Sequence, residues 1–184
     1  MRIPDSSRRL PALAAAALVL CLTLLPAGCR RHKPTNVRTI EETPALATVV
    51  ATADPQAAAQ LLSGFYGVEQ NAWRWTGPRF SVLLRPPRAA AARGAVLQLK
   101  FTLPPVSIEK LKSVTISAFV NGAALPSETY TQPGQFIYSR DVPASLLGGD
   151  AARADFSLDK TMSPGAADKR ELGVVATTIG FQAK

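Results

Sequence analysis

Past residue 38 this chain of 184 residues has no cysteine and no histidine. Its two cysteines, Cys21 and Cys29, and its single histidine, His32, all fall in the N-terminal stretch. The rest therefore lacks a thiol nucleophile, a disulfide, an imidazole base and the usual ligands of a zinc site. Two carboxylates can hydrolyse a glycoside without either residue type, but no two acids here stand out as a pair. The expectation is a protein that is not an enzyme and carries no cofactor or metal; Asp150, Asp155 and Asp159 lack the glycine-centred alternation of a calcium loop. A basic body is missing too. The formal charge is +8, yet seven basic residues against one acid lie within the first 38, and fourteen basic face twelve acidic residues afterwards. No basic face for phosphate binding by counterion release is visible, so nucleic acid is not an expected partner. Internal repeats and helix patterns long enough for a parallel α/β sheet are also absent.

The N-terminal stretch has its own pattern. Arg2, Arg8 and Arg9 precede about twenty uncharged residues, Leu10 to Cys29, dense in Ala and Leu. Small residues, Ala27 and Gly28, close the run. A positive start, an apolar middle and small residues before a cut site describe an export signal. Ala27-Gly28-Cys29 resembles the lipobox of bacterial lipoproteins, which implies a signal peptide over 1–28 and a diacylated N-terminal Cys29 anchored in the membrane. The run is also close to the length of an uncleaved span, and an ordinary signal cut elsewhere is a third reading. Arg30-Arg31-His32-Lys33 would sit against anionic headgroups, at about 1 kcal/mol per charge near such a surface. Residues 29–53 have few large apolar side chains and read as a flexible tether.

A folded domain is expected over 54–184. Asp54 and Pro55 suit the N-cap and first position of a short helix running through Leu62, with Gly64 as its terminator. From there the period changes to two. Strands are predicted at Trp73–Thr76, Arg79–Arg85, Val96–Leu103, Val114–Val120, Glu128–Thr131, Gln135–Val142, Ala154–Asp159 and Gly173–Phe181. Leu97, Leu99, Phe101 and Leu103 share one face, with Gln98, Lys100 and Thr102 opposite. Asn121-Gly122 is a hairpin-turn signal, because both residues tolerate positive φ. About eight short strands, apolar on one face and polar on the other, predict an all-β antiparallel sandwich, jelly-roll-like, with one short N-terminal helix.

Three constellations carry candidate chemistry: Gly64-Phe65-Tyr66-Gly67-Val68-Glu69 followed by Trp73-Arg74-Trp75; Val120-Asn121-Gly122; and Asp168-Lys169-Arg170-Glu171-Leu172-Gly173. Together they resemble the jelly-roll, galactose-binding-like accessory domains of some bacterial cell-envelope glycosyltransferases. That resemblance implies the sandwich fold more than any ligand. Trp73 and Trp75 fall on one face of a strand and Arg74 on the other. The indoles are either core packing or platforms for a sugar ring, whose axial C–H groups suit an aromatic face. Glu69, Asp168 and Arg170 either hold a polyol's hydroxyls or form a clamp in which Arg170 pairs with the acids.

Two functions follow as expectations. One is a glycan- or polysaccharide-binding module tethered in the cell envelope, facing the periplasm or exterior. The other is an assembly subunit that docks a partner envelope protein through a sandwich face or edge. Solvent-exposed tryptophan beside Glu69 or Arg170 favours the first, and buried tryptophan favours the second. Replacing the acylation candidate, Cys29→Ser, should abolish incorporation of labelled fatty acid into the expressed protein, read by metabolic labelling; unchanged labelling would place the lipid elsewhere.

Overall fold

A computed structural model of the chain describes residues 45–184. The expected export signal, Cys29, the basic cluster and the first part of the expected tether lie outside the described residues. Among the described residues nine strands form: β1 (Val49–Ala51), β2 (Leu61–Glu69), β3 (Trp73–Leu84), β4 (Ala95–Leu103), β5 (Val114–Val120), β6 (Ala123–Tyr130), β7 (Gly134–Val142), β8 (Ala152–Leu158) and β9 (Val175–Ala183). Every pairing is antiparallel. The all-β antiparallel sandwich expected from the alternation is the observed architecture.

The layers share one strand. The second half of β3, Arg79–Leu84, pairs with β8 and continues the order β6-β5-β8-β3. Its first residues, Arg74 and Trp75, pair instead with Ala176 and Val175 of β9, in the layer ordered β9-β4-β7. The changeover falls at Thr76, which is fully buried. Its N–H donates to Val174 O at 2.9 Å, and its hydroxyl accepts from the Val174 N–H at 3.1 Å. Gly173 N–H reaches Thr76 O at 2.7 Å. A Cβ on Gly173 would lie 2.6 Å from the Thr76 hydroxyl and 2.7 Å from Gly77 O, so only glycine permits this approach.

Alternation of inward apolar residues builds the core. Leu97, Leu99, Phe101 and Leu103 of β4, with Ile179 and Phe181 of β9, are at most 2% exposed. They belong to one cluster with Phe80, Val82 and Leu84 of β3, Ile116 and Val120 of β5, and Phe156 of β8. Aromatic contacts cross the interior: the Tyr138 and Phe156 ring centroids lie 6.3 Å apart, those of Phe101 and Tyr130 5.0 Å. Fully burying one such side chain stabilises by about 1.5–3 kcal/mol.

Predicted and observed elements differ in several places, among them β6, which starts at Ala123 directly after the Asn121-Gly122 turn rather than at Glu128. The short helix is a 3-10 turn, Pro55–Gln60, with Asp54 accepting from the Gln56 N–H at 2.9 Å. It stops early because β2 begins at Leu61, so Leu61 and Leu62, expected in the helix, open a strand instead. Gly64 is then no helix terminator. It sits inside β2 at φ +75°, where a Cβ would fall 1.9 Å from Arg79 O, and register shifts flank it. Residues 45–53, read as tether, pack: β1 pairs with β9, Val50 is 1% exposed and Thr52 fully buried. The two strands expected at Trp73–Thr76 and Arg79–Arg85 are one continuous β3. Two short helices were not foreseen, α1 (Ala90–Arg93) and α2 (Pro105–Leu111), the latter starting with proline at its first position. They lead into and out of β4, where the chain changes layers.

Gly64→Ala must hold a left-handed backbone at about 1–3 kcal/mol and displace the Arg79 carbonyl as well. The urea midpoint of Gly64→Ala should fall accordingly, whereas Gly67→Ala, with open space around its Cβ position, should leave the unfolding free energy within about 0.5 kcal/mol of the parent.

Candidate functional site

The β2–β3 hairpin places the first candidates. Gln70 and Asn71 adopt left-handed φ values of 50° and 55°, and Ala72 N–H returns to Glu69 O at 3.0 Å. This turn brings Glu69 directly opposite Trp73 in the ladder. Trp73 and Trp75, two residues apart on one strand, share a face. Both are half-buried and neither belongs to the core cluster. They line a groove of about 510 Å³ with Glu69, Thr102, Gln135 and Thr177.

Arg74 points to the opposite face of the strand. Its Nε donates to Thr52 O at 2.7 Å and its Nη1 to Tyr66 O at 2.8 Å. One guanidinium thereby ties β3 to β2 and to the end of β1. Its N–H groups satisfy two backbone carbonyls.

Arg170 forms the predicted clamp, and with both acids at once. Its Nη1 lies 2.8 Å from Glu69 Oε1 and its Nη2 2.7 Å from Asp168 Oδ2. The Arg170 backbone N–H also donates to Asp168 Oδ1 at 2.9 Å, and the side-chain Nε to the same oxygen at 3.0 Å. The guanidinium carbon sits 5.2 Å from the centre of the Tyr66 ring, and the Tyr66 hydroxyl donates to Glu171 O at 2.9 Å. The segment between β8 and β9 is thus fastened to the β2–β3 hairpin. Donation from Arg170, side chain first and backbone second, holds the Asp168 carboxyl down at about 2. The same pairing with Asp168, and then with Glu69, raises the Arg170 guanidinium above its ordinary value.

Of the five site candidates, Glu69, Trp73 and Trp75 meet in the groove. Asp168 and Arg170 do not line it; they orient Glu69 from outside. Glu69 has one oxygen engaged by Arg170 and retains acceptor capacity toward the groove. The sequence reading missed Thr102, Gln135, Val175, Pro104 and Thr177 as lining residues. A signal for Thr102 existed, since it falls on the polar side of the alternation in β4. Nothing in the sequence placed β4 beside the indoles, because that depends on β3 changing partners.

The remaining candidates are structural. Asn121, at φ 48° with Gly122 at 84°, turns the β5–β6 hairpin as expected. Its side chain accepts from Arg153 N–H and donates to Leu146 O, both at 2.9 Å. Asp155 accepts from the Ser81 hydroxyl and from Arg153 Nε, and Asp159 accepts from Thr115 N–H. Among the described residues no three acidic, His or Cys side chains gather as a metal site.

A half-exposed aromatic groove on an antiparallel sandwich defines this domain structurally. No protein-family description matches the chain, and no curated protein matches it in sequence. Similar strand arrangements occur in solved structures. An acetyl xylan esterase from the rumen bacterium Butyrivibrio proteoclasticus aligns over 76% of this chain and 34% of its own, at 11% identity and TM-score 0.44. The chain thus spans about a third of that esterase. The CBM36-1 domain of a multidomain xylanase from the hindgut metagenome of Trinervitermes trinervoides aligns over 74% of this chain and 97% of its own, at 11% identity and TM-score 0.42. A CBM4 structure aligns over 76% and 84%, at 14% identity and TM-score 0.32. These are loose likenesses, and neither ligand nor activity follows from them.

Asp168 has a depressed folded pKa, so its contribution to stability is complete above the ordinary carboxylate range near 4 and is lost as pH falls through about 2. Arg170→Ala should therefore lower the melting temperature at pH 7 and flatten its dependence on pH below 4. An unchanged melting curve with lost ligand binding would overturn the clamp.

Proposed function

We propose that this chain is a non-catalytic envelope lipoprotein, held to the membrane through acylated Cys29, whose sandwich binds glycan or polysaccharide in the groove at Trp73 and Trp75. The observation that carries the reading is the placement of both indoles. Two tryptophans on one strand face, outside the core cluster and beside a carboxylate, match the chemistry of a pyranose. Axial C–H groups stack on the negative face of the ring, while hydroxyls donate to Glu69 and exchange hydrogen bonds with Thr102 and Gln135. Leaving that much aromatic surface half in water lowers the stability gained on folding, and a ligand that covers it recovers the difference.

The second reading, a surface for docking a partner envelope protein, needs a contiguous apolar face. The large exposed apolar side chains are Val49, Leu62, Val68, Val106 and Ile137, spread over β1, β2, α2 and β7. This scatter favours the groove over a flat docking face. The tether and the basic cluster beside Cys29 complete the proposal by keeping the domain at the membrane surface, facing the periplasm or exterior.

Full-length protein in detergent, screened against an array of envelope and plant-type polysaccharides, should bind at least one class. Trp75→Ala should weaken that binding by about tenfold, roughly 1.4 kcal/mol, with the melting temperature nearly unchanged. Trp73→Ala should act in the same direction. No binding to any glycan would sink the proposal, and a large loss of melting temperature in Trp75→Ala would return the indole to a packing role.

A further inference from the structure

The groove does not end at the tryptophans. A second hollow of about 350 Å³, lined by Lys100, Phe136 and Ile137 among others, shares Thr102, Gln135 and Thr177 with it. Strand register explains the continuity. Trp75 is the ladder partner of Val175, Val175 of Thr102, and Thr102 of Gln135. These four residues form one row across β3, β9, β4 and β7. A neighbouring row runs Thr178, Lys100, Ile137. Three interstrand steps span about 14 Å, longer than a single sugar ring.

Charge along this path is asymmetric. At the tryptophan end, Glu69 is neutralised by Arg170 at 2.8 Å. Two strands from Trp75, in the neighbouring row, Lys100 stands exposed on the central strand β4, and among the described residues it has no ion-pair or side-chain hydrogen-bond partner. Its ladder neighbours, Thr178 and Ile137, are neutral. The nearest acid on the same face of β7 is Asp141, opposite Val96 and paired with Lys184 at 3.0 Å. An ammonium held over a polar sheet face, with no acid to neutralise it, leaves a positive site at the end of an aromatic groove.

From this arrangement, which rests on the glycan reading above, we infer that the ligand is an extended acidic polysaccharide crossing the strands, with sugar rings on Trp73 and Trp75 and a carboxylate on Lys100. Thr102 and Thr177 meet the hydroxyls between those contacts, and Gln135 meets those beyond Lys100 on β7. Ile137, 52% exposed, offers an apolar edge to the last ring.

The test uses full-length protein in detergent and backbone-matched pairs of hexose and hexuronate oligosaccharides. The gluco, manno and galacto series are each taken from disaccharide to hexasaccharide. Hexuronates of at least one series should bind about tenfold tighter than their neutral counterparts, the effect of one charge-assisted contact. Affinity should rise with chain length beyond the disaccharide, and added salt should weaken acidic chains selectively. Lys100→Gln should erase the preference and Lys100→Arg should keep it, with both variants melting like the parent. Neutral and acidic chains binding alike, or an acidic preference that survives Lys100→Gln, would overturn the inference and leave the glycan groove standing. A plateau already reached at the disaccharide would overturn the extended path. Failure of every oligosaccharide would overturn the groove itself.

Discussion

A single strand, β3, cannot satisfy two layers along its whole length, and the outer surface of the domain follows from how that conflict is resolved. Each β3 residue except Pro78 offers one N–H and one C=O, and buried groups of this kind are rarely left unpaired. Up to Trp75 the strand pairs with β9, and from Arg79 onward with β8. At the crossing, Thr76 uses its hydroxyl as well as its backbone to hold Val174, while Gly173 closes from the other side without a Cβ. Had β3 stayed with β8 throughout, Trp75 would have no partner in Val175. The indoles would then sit in another layer from Thr102 and Gln135.

The same crossing explains why Arg74 and Arg170 occupy such different surroundings while acting on one hairpin. Arg74 is braced against backbone carbonyls on the inner side of the β2–β3 ribbon. Arg170 arrives from a distant part of the sequence and fixes the outer end through Glu69. Exposed ion pairs are individually worth little. This one gains from a guanidinium that meets two carboxylates and an aromatic face in a planar, forked geometry.

Much of the sandwich was legible in the sequence because its strands alternate strictly. β5 begins and ends where the period predicted, and β4, β7 and β8 shift only by a residue or two. What stayed hidden has physical causes. β2 is interrupted by Gly64 and Gly67 and carries few inward apolar side chains, so its period fails. β1 is three residues long and takes its stability from β9 rather than from its own composition. The pairing of Arg170 with Glu69 and Asp168 was legible as charge chemistry. The groove was legible only at one end: Trp73, Trp75 and Glu69 lie within seven residues, whereas Thr102, Gln135 and Thr177 reach it through long-range register.

The outermost strands of the two layers, β6 and β7, share no ladder, yet they are stitched together. Arg140 Nη2 meets Glu128 at 2.7 Å and its Nε reaches Pro126 O at 2.8 Å; the Tyr138 hydroxyl donates to the same carbonyl at 2.7 Å. Proline in the middle of β6 offers no N–H there, and the arginine covers the carbonyls a foreign strand would need. Free sheet edges recruit other chains and seed aggregation. Along this border the backbone groups are taken up within the chain, so an added strand would have to displace Arg140 before it could pair.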